Sequence, residues 1–193
     1  MAAILNHWKK EKISQGTLSN RELSKKADGI EQHLDTGLEA LTDKLSPTST
    51  ALHYTTLHKS EEDRRNLTID RLTQAFGYAA KVYLNVVVSG PNPEVREITE
   101  SVKSTLASLQ QLPDIQYLRN AVWPFCIAGS MATKQHRQAF RDLANEAEIH
   151  RDIYGTSWRA LEVMEMCWKL RDEGRECDWV DAMEELGHSV LLI

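Results

Sequence analysis

The side chains in this sequence that could do chemistry are scattered, and their spacings complete no recognised reaction site. His150-Arg151-Asp152 has the letters of a kinase catalytic loop. That signature needs an asparagine five residues past the aspartate, where this chain has Ser157, and the glycine-rich loop, VAIK and DFG segments are absent from the sequence. His53 and His58 match neither the i, i+4 histidine pair of a helical zinc protease nor a zinc finger, so they read as solvated loop histidines. His136 falls on the inner face of a helix and reads as a hydrogen-bonded core histidine. Cys126, Cys167 and Cys177 form an odd set with no CxxC pair. They suit a reducing, intracellular compartment and behave as small core residues. Cys177 lies between two helices, with no histidine and aspartate that would make it a nucleophile. Glu61-Glu62-Asp63 before Arg64-Arg65 is helix-dipole and surface electrostatics, and Lys9-Lys10-Glu11-Lys12 is too short and mixed for a nuclear import signal. No catalytic, metal-binding or cofactor-binding residue is therefore assigned.

The segment that must organise the rest is Leu118–Ala132, LRNAVWPFCIAGSMA, uncharged for twelve residues from Ala121. A large apolar side chain gains roughly 1.5–3 kcal/mol on burial, so such a run belongs inside. It is too short to span a bilayer, which takes about 20 apolar residues. It predicts a buried central helix in which Pro124 is either the first residue of a helix running to about Thr133 or the kink inside a longer one. Ala128-Gly129-Ser130 would let another helix approach closely.

Around it the spacing predicts amphipathic helices. A short one covers residues 3–13, with Ile4, Leu5, Trp8 and Ile13. Ser19 and Glu22 make a capping box for a helix whose stripe is Leu23, Ala27, Ile30, Leu34, Leu38, Leu41 and Leu45. Residues 46–60, rich in Ser and Thr, are expected to be a mobile loop. Ser60 with Asp63 caps the next helix, with a stripe of Leu67 or Ile69, Leu72, Phe76, Ala79, Ala80, Tyr83 and Val87. Its end is apolar on nearly all sides and should be buried; a strand at the valine triplet would lack a partner. Ser89-Gly90-Pro91 stops it. Asn92 and Pro93 begin another, with Val95, Ile98, Val102, Leu106 and Leu109 on a narrow face. Past the central segment, Thr133 caps a helix with His136, Phe140, Leu143 and Ala147 inward. Another follows Gly155 with Trp158, Leu161, Met164, Cys167 and Trp168. Asp178 caps the last, with Trp179, Ala182, Met183 and Leu186, and Gly187 closes it. The apolar tail Val190–Ile193 should tuck back. The expected fold is all-α: one domain over 1–193, a bundle of about seven or eight helices around a buried central helix.

The net charge of −5 argues against a nucleic-acid-binding surface in this segment, since phosphate contacts need a basic face. No signal peptide or membrane span is evident.

Four stretches, in order, resemble one family. Val122-Trp123-Pro124-Phe125-Cys126-Ile127-Ala128-Gly129-Ser130-Met131-Ala132 is similar to the WP-x-x-x-AG-x-x-A core segment of fungal-specific transcription factor domains. Ala79-Ala80-Lys81-Val82-Tyr83-Leu84 with Val88-Ser89-Gly90-Pro91 resembles that family's A-x-x-YL…GP helix end. Arg159-Ala160-Leu161 through Met164-Glu165 and Trp168 resembles its RA…E…W helix. Asp178-Trp179 to Leu186-Gly187, with Leu191-Leu192-Ile193, resembles its terminus. The resemblance implies a nuclear regulatory region lying C-terminal to a zinc binuclear-cluster DNA-binding domain. Zinc would belong to that cluster, because six closely spaced cysteines are required and this sequence has three scattered ones. The family's regulatory region is longer at its N-terminal end, so the chain is expected to be a C-terminal fragment or a short stand-alone homologue.

Two functional classes remain. In the first, this is a non-catalytic regulatory or effector domain that controls transcription by RNA polymerase II. Its partners would be proteins of the transcription machinery, a second copy, or a small-molecule effector. Trp123, Pro124, Gly129, Tyr83, Trp158 and Trp168 are the residues expected to line a pocket or interface. In the second, it is a stand-alone helical interaction module without a DNA-binding partner domain, docking through the Val95–Leu109 face.

Overall fold

Hydrophobic spacing near 3.6 residues makes each predicted segment a helix, and tertiary packing decides which face goes in. The computed structural model describes residues 1–46, 61–149 and 155–187, and among these all regular structure is helical. In chain order it comprises α1 (Ala2–Ser14), α2 (Asn20–Leu45), α3 (Glu61–Ser89) and α4 (Arg96–Gln110). A 3-10 turn (Ile115–Asn120) leads to α5 (Val122–Ser130), and then come α6 (Lys134–Glu146), α7 (Thr156–Asp172) and α8 (Trp179–Leu186). Residues 47–60 of the loop expected over 46–60, Ser60 as a cap, His53, His58, the His150-Arg151-Asp152 triplet and the tail Val190–Ile193 lie outside the described residues.

The centre of the molecule is α5. Every residue from Val122 to Ser130 except Trp123 is buried, and α3, α4, α6, α7 and α8 all pack against it. Pro124 occupies the third helical position. An amide there has no partner inside the helix, so the ring costs no bond and no kink results. Phe125 N–H makes the first helical bond, to Ala121 O at 2.9 Å. The helix stops at Ser130, earlier than the sequence suggests.

The valine triplet is helical, at the end of α3. The stripe expected on α3 holds at Ala79 and Val87, which are buried, and fails at Ile69 and Phe76. Ile69 and Phe76 are 49% and 37% exposed, while Thr68, Gln74, Ala75, Ala79, Val82, Val86 and Val87 are buried. The reason is that α3 serves two neighbours, α2 on one flank and α4 with α5 on the other. A single apolar stripe cannot describe a helix wedged between layers. Gly77 makes the α2 approach possible: a Cβ there would lie 2.7 Å from Leu38 Cδ2.

Three further expectations shift. In α1, Ile4 and Ile13 point outward at 73% and 55% exposed, and Leu5 alone is buried. Leu5 and Trp8 share a face that docks beside Leu23, Ala27, Leu84 and Val87, an apolar cluster separate from the main core. Asn92 does not cap α4. Its Oδ1 accepts from Glu94 N–H at 3.0 Å in a tight turn that holds Pro93, and the helix begins at Arg96 after an extended Val95. The Val95–Leu109 face is not free for docking, because Ile98, Val102 and Leu109 are buried in the main core of the chain itself.

Two other expected caps are present at Ser19 and Asp178, whereas Thr133 makes no side-chain capping bond to its helix. Ser19 Oγ accepts from Glu22 N–H. Asp178 accepts from the amides of Val180 and Asp181, and the Asp181 carboxylate accepts from Asp178 N–H, a reciprocal capping box. Gly187 ends α8 at φ +71, a left-handed position that strains any residue with a Cβ.

Candidate functional site

The small residues of α5 bring α7 against it. A Cβ built on Gly129 would come 2.4 Å from Met164 Cε and 2.7 Å from its sulfur. Trp168 lies one turn beyond Met164, and its indole Nε1–H donates to Gly129 O at 2.8 Å. The glycine thus admits the methionine and offers the carbonyl that satisfies the buried indole. On the outer side of Trp168, the guanidiniums of Arg137 and Arg141 from α6 sit 5.7 and 4.8 Å from the ring. Arg141 forks onto Glu165 at 2.6 and 2.7 Å, and Arg137 donates to Asp172 at 2.7 Å. Both carboxylates belong to α7, so the two arginines staple α6 to α7 across the tryptophan face.

The other expected residues lie around the same body. Pro124 is buried in the first turn of α5. Trp123 is half-buried and stacks on Phe76 at 5.8 Å between centroids with planes 12° apart. Tyr83 packs on Trp179 at 5.2 Å, and its hydroxyl accepts from Asn6 Nδ2 at 3.0 Å. Trp158 is half-buried at the start of α7 and packs against the main core. Gly129, Met164 and Trp168 meet directly, whereas Tyr83 and Trp123 contact different partners. Surface clefts among the described residues lie elsewhere. One of about 830 Å³ is lined by Arg64, Ile69, Leu72, Pro113 and Tyr117 among others. A second, of about 470 Å³, runs between the Pro93-Glu94 turn, the start of α6 and the end of α7. None of the six expected residues lines either cleft.

His136 is half-buried, and its Nδ1 meets the Thr133 hydroxyl at 2.8 Å. Burial and the nearby charge of Lys103 hold its imidazole below the ordinary value. Thr133 spends its hydroxyl there and does not cap its own helix. Cys126 is fully enclosed, and burial pushes its thiol up to about 12. Cys167 and Cys177 lie together: each sulfur is within hydrogen-bond distance of Asp178 O, at 3.3 and 3.2 Å. Among the described residues, no group of three or more His, Cys, Asp or Glu could hold a metal, and no helix is long and apolar enough to cross a membrane.

Sequence reasoning missed the arginine clamp and the polar knot at Gln74. Gln74 Oε1 accepts from Arg71 Nη1 at 3.0 Å and from Ser108 Oγ at 3.3 Å, while its Nε2 donates to Thr42 at 3.2 Å. Arg137 and Arg141 at i, i+4 look like a solvated face, and nothing local reveals that a tryptophan from another helix lies beneath them.

Comparison with known proteins supplies what this geometry does not. The chain is 31% identical to the ustiloxin B cluster transcription factor ustR of Aspergillus flavus, over 100% of this chain and 33% of that protein. It is 31% identical to the trichothecene biosynthesis transcription regulator TRI10 of Fusarium sporotrichioides, over 97% of this chain and 40% of the relative. It is 28% identical to the transcription factor ntnD of a Nectria species, over 88% of this chain and 28% of the relative. The chain thus spans about a third of the length of these curated relatives. No solved structure is a significant match. The fungal specific transcription factor domain matches residues 2–193, and the chain belongs to that family.

Proposed function

We propose that this chain is the non-catalytic regulatory region of a fungal zinc-cluster-type transcriptional regulator. It works in the nucleus and controls transcription by RNA polymerase II through contacts with protein partners or a small-molecule effector. The observation that carries this reading is the extent of the family match, from residue 2 to residue 193, so that every helix belongs to the shared region. The relatives' names add a direction, toward regulators of biosynthetic gene clusters. DNA contact and zinc fall to parts of a whole regulator outside this sequence.

The packing says how such a region would respond. Met164 fills the space beside Gly129, so an effector acting at Gly129 and Trp168 would have to open the seam between α5 and α7. A ligand shifts such an equilibrium only by its difference in affinity for the two packings. The test is to fuse residues 1–193 to an unrelated DNA-binding domain and measure a reporter gene. Reporter output should depart, in either direction, from that of the DNA-binding domain alone, and Gly129→Leu should abolish the departure. A fusion that accumulates in the nucleus yet leaves the reporter at the control level sinks the proposal.

A further inference from the structure

We propose that Cys167 and Cys177 form a two-thiol site that is oxidised by hydroperoxides to an intramolecular disulfide tying the end of α7 to the start of α8. The first argument is geometric. Cys167 is on α7 and Cys177 precedes the cap of α8, yet both sulfurs converge on one acceptor, Asp178 O, at 3.3 and 3.2 Å. Two sulfurs that share one acceptor oxygen lie side by side. The carbonyl accepts from both thiols through its two lone pairs when both are protonated, and once Cys177 ionises a Cys167 proton turned toward it stabilises the thiolate.

The second argument is the charge beside them. Arg171 is largely buried, with Nε donating to Cys167 O at 3.1 Å and Nη2 donating to Ser130 O. It reaches carbonyls where a buried guanidinium more often meets a carboxylate. Its positive charge acts on both sulfurs. The hydrogen bond from Cys167, aided by Arg171, draws the Cys177 thiol below its ordinary value, while the same bond and burial push Cys167 up. The facing acids, Asp178 and Asp181, oppose the thiolate without reversing that direction. This division of labour suits a nucleophilic and a resolving cysteine. Access comes from the surface: Asp172 to Glu176 are exposed, so a small opening of that turn uncovers Cys177.

The chemistry balances. Cys177 ionises and its thiolate attacks one oxygen of hydrogen peroxide; the S–O bond forms, the O–O bond breaks, and the hydroxide that leaves takes up the proton Cys177 released. Cys167 then loses its proton and attacks the Cys177 sulfur. The S–S bond forms, the S–O bond breaks, and the second hydroxide takes up a proton. Two thiols are oxidised and one peroxide is reduced to two waters.

The test needs only the full chain. Reduced protein is exposed to hydrogen peroxide, and the remaining thiols are alkylated after unfolding and mapped by mass spectrometry. The expected product has lost two hydrogens, carries a Cys167–Cys177 linked peptide and a free Cys126, and reverts with dithiothreitol. Cys177 should react at least about tenfold faster than Cys126. Amides in 173–187 should exchange more slowly after oxidation. In a folded Cys167→Ser variant the Cys177 sulfenic acid should persist and be trapped by dimedone. Free thiols at both positions after peroxide, a bridge to Cys126 or between chains, or oxidation of the three cysteines at similar rates overturns the proposal, and the wild-type map alone decides it.

Discussion

At the residue scale the tightest fit is Gly129 under Met164. Adding one methyl forces Met164 to move within a fully buried site, and overpacking of this kind costs about 1–3 kcal/mol. Gly129→Ala should therefore lower stability by that order in urea titrations. Met164→Ala alone leaves a cavity and costs about 2–5 kcal/mol. Because the new methyl fills part of that cavity, the double variant should be more stable than the sum of the singles implies, by about 0.5–3 kcal/mol. Strict additivity would mean that the two side chains do not meet. His136 gives a second residue-level expectation. Its folded-state value is depressed below the ordinary 6.5 by burial and Lys103, so the unfolded chain takes up the proton more readily. Stability from this group is fully present above 6.5 and is lost as pH falls through the folded value. Melting temperatures measured from neutral to mildly acidic pH should fall less steeply for His136→Gln than for the parent. Identical slopes would show that the imidazole carries no folding-linked proton.

At the element scale, identical substitutions at two helical glycines should have opposite signs. Gly77 of α3 faces Leu38 of α2, with 2.7 Å between a built Cβ and Leu38 Cδ2. Gly37 of α2 has no atom within 4 Å of such a Cβ. Gly37→Ala should stabilise by about 0.4–1 kcal/mol, through a lower entropy of the unfolded chain and better helix propensity. Gly77→Ala should destabilise by about 1 kcal/mol or more by prising α2 from α3. Chemical denaturation of the two variants decides this, and a stabilised Gly77→Ala would place the α2–α3 contact elsewhere. The pairing of these helices is supported by Lys81 of α3, which reaches Asp35 at 2.6 Å and Glu31 at 3.4 Å on α2. Burial works against its charge, but the two carboxylates outweigh that and raise its pKa.

For the whole molecule, the division into two apolar clusters matters most. Leu5, Leu23, Ala27, Leu84 and Val87 form a small one under α1, and the hub around α5 forms the other. Regions with few buried apolar contacts open at lower free energy than the core. Backbone amides of α1 should exchange with deuterium well before those of α5 and α7. Leu5→Asp should accelerate exchange in α1 and neighbouring α2 while the hub stays protected. Simultaneous loss of protection across the chain would make the body a single cooperative unit.

The sequence by itself determined the all-helical class, most helix ends and the burial of the central segment. These depend on local causes: apolar period, Ser19 and Asp178 as caps, Gly90 and Gly187 as stops, and a run too apolar to expose. The family, too, was legible in the order of four short motifs. Only the tertiary structure decided which face of α3 is inward, that Ile4 and Ile13 look outward, and that Phe76 covers Trp123. It alone put Arg137 and Arg141 over Trp168, Met164 over Gly129, and Cys167 beside Cys177. A helix records its own periodicity in its sequence, whereas contacts between helices depend on crossing angle and partner, and neither is written in local spacing.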